Sequence, residues 1–433
     1  MSEQSKDDVV ITGIGLMSPI GIGVDAFWDS LNAGNHGFRK CEVLPFVGTP
    51  DCIGGEVAGF NESTAKKLHL KVVRKQVKVM CREIQLGVAS ALQAMQHASI
   101  EEGTVAPERI GVDFGANLMS SPPDVLLDSG RASSTGGDFD YGKWGLTEED
   151  RFKGMEPLWL LKYLPNMPGC HIGIALDARG PNNSLTQAEA SGGLVLAEAA
   201  NIIRKGRADI MVAGTTGTKL HPVKACQHER WDVLAAGDAD QRCRPFDKGR
   251  IGEVLAEAAC SFILESRTHA EARGAKIYGT LMGLGASCVL GVDGVADEAQ
   301  AVEAAAQMAL RNAGVSAADL GHVNCAASGN PVRDVYEAKA IRSILGDSAD
   351  STPVTALKSY TGSAGSGSGL QEIAASLIGL KNGIVPKTLN FTESDAETPL
   401  NVVSGDHLAM ENKLFLKTSV TRMGQGSAVV IGC

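Results

Sequence analysis

The sequence predicts an α/β protein built from two similar halves, each a largely buried mixed sheet with helices on its faces. Three observations carry that reading. The chain has 433 residues, more than the roughly 250–300 at which a single hydrophobic core stops growing. Val/Ile-rich runs bounded by Gly, Asp or Ser alternate with Ala- and Leu-rich stretches of helical spacing. The order helix, polar connection, apolar strand occurs twice, in residues 86–116 and again in 301–327, so that "RIGVDFGA" answers "LGHVNCAA".

The elements follow in chain order. "DVVITGIGL" (8–16) is the first strand, and an amphipathic helix beginning near residue 86 leads to the strand "RIGVDFGA". Residues 120–165, with "SSPPDVLLDSGRASSTGGDFDYGKWG", are rich in Ser, Gly and Pro and are expected to form a long excursion of loops and short helices. "GPNNSLTQAEASGG" (180–193) is a tight turn that delivers the chain into a helix of small residues. Strands are expected at "ADIMVAGTT" (208–216), "AACSFILES" (258–266) and "KIYGTLMGLGASCV" (276–289). The second helix and strand of the echo come next, and then a strand at "SAVVIGC" (427–433).

Composition narrows the function. Lys and Arg number 40 against 50 Asp and Glu, a net charge of −10, which argues against a nucleic-acid surface. "MSEQSKDDVVITG" holds no apolar run long enough for a signal peptide, and no later stretch approaches the roughly 18 apolar residues of a membrane span, so a cytoplasmic location is expected. Ten cysteines are scattered singly, with no C-x-x-C and no His at metal-ligand spacing. Reduced thiols are therefore expected, and neither a disulfide framework nor a metal centre. The Gly-rich "GSAGSGSG" (362–369) lacks the G-x-x-x-x-G-K spacing of a phosphate loop, and no cofactor is expected.

Five stretches carry a family resemblance: "VVITGIGLMSPIGIGVDAFWDSLNAGNHG", "LPNMPGCHIGIALDARGPNNSLTQAEASGG", "RPFDKGRIGEVLAEAACSFILE", "NCAASGNPVRDVYEAKAI" and "ALKSYTGSAGSGSG". In this order, and spread over nearly the whole chain, they resemble the successive signatures of the β-ketoacyl-acyl-carrier-protein synthases. The resemblance implies a thiolase-like fold, a duplicated five-layer α/β/α/β/α arrangement, with an N-terminal half over residues 1–267 and a C-terminal half over 268–433. It also implies a dimer and an acyl carrier protein as partner. In such a family "GSAGSGSG" is a close-packing turn into a helix.

Members of the family hold an acyl group on a Cys in a turn like T-A-C-x-S, and two His residues assist malonyl decarboxylation and stabilise the developing charge. The start of a buried helix suits this chemistry, because its dipole and free N–H groups lower a thiol's pKa. By the same resemblance, the Cys position here is Glu189 in "QAEAS", the first His position is Ala326 in "NCAASGNP", and the second is Ser363 in "KSYTGS". Asp334 and Glu337 match the acidic pair after the first His motif, Lys358 matches the lysine of the second, and Arg422 in "TRMGQG" stands where an aromatic gate residue usually sits.

With all three catalytic positions changed, the resemblance implies a chain that does not condense by itself. It is similar to the Cys-less chain-length-factor subunits (ketosynthase β) of type II polyketide systems. Those pair with a Cys-containing ketosynthase homologue and shape the acyl tunnel at the dimer interface, and their nucleophile position is commonly Gln. Two alternatives stay open. One is an acyltransferase-class enzyme, a 3-oxoacyl-ACP synthase or malonyl decarboxylase, working through other residues; the other is a stand-alone acyl-binding protein.

Several readings are local. "TQAE" has capping-box spacing, in which Thr186 caps the helix and the Glu189 carboxylate returns a hydrogen bond to its first turn. The basic run "KKLHLKVVRKQVKVM" places Lys67, Lys71 and Lys75 at one helical spacing with Arg74 and Lys78 beside them, either a solvated helix face or a surface for an acidic carrier protein. His221 and His228 follow the strand of 208–216 and are expected to be ordinary, partly exposed histidines rather than replacement bases. That same strand, with the 120–165 excursion, is where the resemblance sets the contact with a second subunit, a homodimer or a heterodimer with a Cys-containing homologue. Phe139, Tyr141 and Trp144 are the bulky residues there expected to set tunnel depth.

Overall fold

The computed structural model describes residues 8–42, 48–144, 156 and 158–433. Among the described residues the main sheet has eleven strands; a two-residue strand, Gly21–Ile22, pairs only with the first, and the other ten are β1 (Val9–Ser18), β2 (Ile110–Ala116), β3 (Asn182–Leu185), β4 (Ile210–Thr218), β5 (Glu257–Ser266), β6 (Gly279–Cys288), β7 (His322–Cys325), β8 (Val354–Ala356), β9 (Leu414–Val420) and β10 (Gln425–Gly432). Seven helices matter for the site: α1 (Arg82–His97), α2 (Met167–Leu176), α3 (Ser191–Arg204), α4 (Pro222–Trp231), α5 (Glu298–Ala313), α6 (Arg333–Leu345) and α7 (Ser368–Lys381).

The strand order is β8-β7-β9-β10-β6-β1-β5-β4-β2-β3. It divides into two groups of five with the same internal order. In each, the second strand runs parallel to the third and fourth, while the fifth runs antiparallel to the fourth and the first. The groups meet where β1 pairs with β6 at Val10↔Thr280 and Ile11↔Gly279. Helix α1 packs on β1, β5 and β4, and α5 on the equivalent β6, β10 and β9. Helices α3 and α7 touch one another and contact both groups of strands, and α6 packs on α5. This is the duplicated α/β/α/β/α layering.

The duplication extends to packing detail. β1 carries Gly13 and Gly15, and β6 carries Gly283 and Gly285. A Cβ at any of the four would collide with a carbonyl oxygen of the outer helix: Ala94 and Ser90 in α1, Ala309 and Ala305 in α5. The ladder also shifts register just before the first glycine of each pair, between Ile11 and Gly13 and between Leu281 and Gly283. The Ala-rich faces of the two helices serve the same close approach, because small residues on both sides let the backbones meet.

Three expectations need correction. The strand of 208–216 lies inside the sheet between β5 and β2, so it does not form an edge; the terminal strand on that side is β3. The basic run forms no single helix. It breaks into short turns at Ala65–His69, Lys71–Val73 and Gln76–Val79, from which Leu70, Val73, Val77 and Met80 turn into the core, and the β-branched Val72, Val73, Val77 and Val79 weaken its helix propensity. Lys67, Lys71, Arg74, Lys75 and Lys78 remain exposed on those turns. The capping box at Thr186 and Glu189 is absent: Ala190 precedes α3 without a side-chain cap, and Glu189 turns to another partner.

The 120–165 excursion holds short turns, the helix Leu127–Ala132 and a small hairpin, and residues 145–155 and 157 of it lie outside the described residues. Phe139 stacks edge-on with Tyr141 at 4.9 Å and lies 5.2 Å from Trp144, and Tyr141 is largely exposed. All ten cysteines are unpaired, and no helix among the described residues is long and apolar enough to cross a membrane.

Candidate functional site

Both halves bring their loops to one small cavity in the middle of the molecule. The turn Ala188–Ala190 ahead of α3 supplies Glu189. The exit of β7 supplies Ala326, the first turns of α6 supply Asp334 and Glu337, and the segment after β8 supplies Lys358 and Ser363. These six residues share the lining of a cavity of about 20 Å3, room for about one water molecule. Residues up to 174 positions apart thus meet, from Glu189 to Ser363. The glycine run serves the approach: a Cβ at Gly367 would strike the Ala258 carbonyl, so the loop packs against β5 before entering α7.

Glu189 is ion-paired. Its carboxylate lies 3.0 Å from Lys219 Nζ, and both side chains are largely buried. Lys219 follows β4, donates to Ser363 Oγ at 2.8 Å and reaches Glu253 at 3.4 Å. Burial by itself would raise the Glu189 carboxyl, but the Lys219 ammonium, with Arg333 behind it, holds it well below the usual carboxylate range. Burial likewise opposes the charge on Lys219, and Glu253, Glu189 and Asp232 together outweigh it and hold the ammonium above its usual range. This pair explains the missing capping box. A buried ammonium in a low-dielectric interior attracts a carboxylate more strongly than a backbone N–H of the helix start.

The remaining site residues are also tied down. Glu337 accepts from the Ala326 N–H at 2.7 Å and from Thr418 Oγ1 at 2.8 Å. Asp334 accepts from the N–H groups of Phe246, Ser328 and Gly329 at 3.0–3.1 Å, yet burial still lifts it to about 6. Lys358 bonds the Ala326 carbonyl at 2.7 Å and Glu372 at 2.7 Å, and Lys417 meets the other oxygen of Glu372 at 2.6 Å. Arg333 pairs with Glu298 at 2.8 Å. Arg422 lies outside the lining and stacks its guanidinium over Trp231 at 4.8 Å.

The chemistry open to this arrangement is limited. Ser363 beside Lys219 has the outline of a serine–lysine pair, but an ammonium held protonated by two carboxylates cannot take the hydroxyl proton. The Ala326 side chain has no donor or base to offer, and its backbone N–H is taken by Glu337. His221 is turned away: its Nδ1 accepts from the Val223 N–H at the start of α4, and burial with the charge of Lys224 pushes the ring down to about 4. His228 is partly exposed, as the sequence suggests, yet it is not isolated. Its Nδ1 lies 2.9 Å from Asp232 and 3.6 Å from Glu253. Lys219, Glu253, Arg333 and Asp232 are the site residues that motif reading misses. The one sequence signal for Lys219 is a lysine directly after an apolar strand, in "MVAGTTGTKL".

Comparison with known proteins adds the following. Residues 6–270 match the family "Beta-ketoacyl synthase, N-terminal domain", and residues 278–392 match "Beta-ketoacyl synthase, C-terminal domain". The chain is 27% identical over 437 residues to 3-oxoacyl-[acyl-carrier-protein] synthase 2 of Staphylococcus aureus, covering 99% of each. It is 30% identical over 433 residues to the actinorhodin polyketide putative beta-ketoacyl synthase 1 of Streptomyces coelicolor, covering 97% of this chain and 86% of that one. Among solved structures, the ishigamide ketosynthase/chain length factor superposes with a TM-score of 0.84 at 25% identity, covering 98% of both chains.

Proposed function

Because the chain belongs to the β-ketoacyl synthase family, we propose that it is a member that does not condense by itself and acts as a chain-length-factor-like partner of an active ketosynthase. One observation carries the proposal: the position assigned to the acyl-bearing thiol is a carboxylate locked to a buried ammonium, beside a cavity of about 20 Å3. An acyl group on Glu189 would first have to break that pair. Its anhydride would then lack a positioned acid or base. The resemblance to a ketosynthase/chain length factor structure supports the same reading.

In this reading the partner is a Cys-containing homologue, docked along the open edge of β3. Among the described residues that edge pairs with no further strand, and such an edge is either covered or an aggregation hazard. The opposite end of the sheet, β8, is already bridged by Val402. The growing chain is carried by an acyl carrier protein, the carrier in the name of the Staphylococcus relative. The exposed basic turns with Lys67, Lys71, Arg74 and Lys75 are the surface of complementary charge for it.

The test is co-expression with a Cys-containing homologue from the same genome, with stoichiometry read by native mass spectrometry and product length by chromatography. A 1:1 heterodimer whose product length shifts when Phe139, Tyr141 or Trp144 is truncated supports the proposal. A homodimer that ignores the homologue, or product lengths unmoved by every truncation, refutes it.

A further inference from the structure

From the cavity wall, the ion pair of Glu189 and Lys219 extends into a wider cluster. Four carboxylates, Glu189, Asp232, Glu253 and Glu298, face two cations, Lys219 and Arg333. Counting charges, four negative against two positive leaves a deficit of two when His228 is neutral. Arg422 does not close it, since its guanidinium faces the Trp231 ring, and Lys358 is committed to Glu372.

The deficit is concentrated at Glu253. Its side chain is only 2% exposed, and its contacts are 3.4 Å to Lys219 and 3.6 Å to His228, against the roughly 2.7–2.9 Å of charge-assisted hydrogen bonds. Lys219 has two closer partners, Ser363 at 2.8 Å and Glu189 at 3.0 Å, so its charge is shared and only partly offsets that of Glu253. His228 and Asp232 stand one helical turn apart at the end of α4, with Nδ1 and Oδ2 at 2.9 Å. The Nδ1 of His228 and one oxygen each of Asp232 and Glu253 all lie within 4.8 Å of one another.

We infer that His228, Asp232 and Glu253 form a binding site for a divalent transition-metal cation of the zinc class. One imidazole and two carboxylates suit Zn2+, with water completing the shell, whereas Mg2+ and Ca2+ favour all-oxygen sets. A divalent ion supplies the two missing charges. It also ties the end of α4 to the strand-like segment of Glu253, which pairs with Leu234 just after the helix. Asp232 and Glu253 are nearly sealed from solvent, while His228 is 16% exposed and leaves an entry on its side.

The experiment uses the full chain, stripped with chelator and free of any affinity tag, titrated with ZnCl2 at pH 7.5 by calorimetry and with Co2+ by absorption. One ion per chain is expected, with a dissociation constant of about 10 µM or tighter and a thermal midpoint that rises with metal. His228→Ala and Asp232→Asn should each weaken binding by about 100-fold or more, since even outer-shell losses cost about 10–100-fold. The cobalt complex should show no thiolate charge-transfer band, which separates this site from the exposed Cys226, Cys288 and Cys433. Absence of 1:1 binding, unchanged affinity in folded His228→Ala, or a thiolate band would each overturn the assignment.

Discussion

Lys219→Met should destabilise the protein more than Glu189→Gln, although both cut the same 3.0 Å ion pair. The asymmetry comes from what each change leaves behind. Without Glu189, Lys219 keeps Ser363 at 2.8 Å and Glu253 at 3.4 Å, so the loss is that of one hydrogen bond to a charged group, about 1.5–3 kcal/mol. Without Lys219, Glu189 and Glu253 are both left buried with no ammonium between them, and an uncompensated buried charge costs about 3–5 kcal/mol. For 433 residues, an unfolding entropy of about 2.1 cal/mol/K per residue makes 1 kcal/mol worth roughly 1 °C. Lys219→Met should therefore lower the calorimetric midpoint by about 3–5 °C at matched protein concentration. The double variant Glu189→Gln/Lys219→Met should recover part of the loss, with a coupling of about 1–3 kcal/mol. The pH dependence has a definite sign. In the parent, the folded-state carboxyl of Glu189 is lowered, so its contribution is present above the usual carboxylate range and is lost on acidification. In Lys219→Met one of the two stranded carboxyls takes up a proton more readily than in the unfolded chain. The gap between parent and variant should accordingly narrow from pH 7 toward pH 4. A Lys219→Met protein that melts within about 1 °C of the parent, or a gap that widens in acid, would refute the reasoning.

Three further outcomes follow from the same geometry. Incubation with acylated carrier protein should leave the intact mass unchanged, and a stoichiometric adduct on the peptide containing Glu189 would show that the carboxylate is free to react. Glu189→Cys should not restore condensation, because Ala326 and Ser363 provide neither of the missing imidazoles and loss of a single charge-stabilising donor typically costs about 100-fold or more; measurable turnover by radiolabelled malonyl incorporation would contradict this. Asp113→Asn should stabilise the fold at neutral pH. Both Asp113 oxygens are buried without partners, and burial, aided by the charge of Glu198, pushes the group up to about 8. Keeping it protonated at pH 7 costs on the order of 4 kcal/mol relative to an ordinary Asp, so parent stability should fall between about pH 4 and pH 8, and that slope should vanish from the variant's urea-denaturation series.

Much of the architecture is legible in the sequence because its signals are local. The strands of 8–16, 109–116, 258–266 and 427–433 are contiguous apolar runs, and each lies within one or two residues of its strand in the structure. The helix–strand echo is legible for the same reason, and it marks the duplicated five-strand order. The residues at the cavity are legible too, since Glu189, Ala326 and Ser363 each sit in a short motif whose form survives even where the reactive residue has changed.

What the tertiary structure decided depends on where separate segments meet and how much water remains there. Strand order is a property of the whole sheet, so nothing in "ADIMVAGTT" reveals that it lies inside and that "NNSL" is the terminal strand. The basic run has helical spacing, yet successive short turns carry Leu70, Val73, Val77 and Met80 to the same core, and the β-branched Val72, Val73, Val77 and Val79 do little to favour the helix over those turns. Glu189 has the spacing of a helix cap, a choice that holds while its only neighbours are its own turn. The fold brings Lys219 from 30 residues away and Glu253 from 64 into a site nearly closed to water. There Coulomb attraction is strong and an unpaired charge is costly, so the ion pair prevails over the cap.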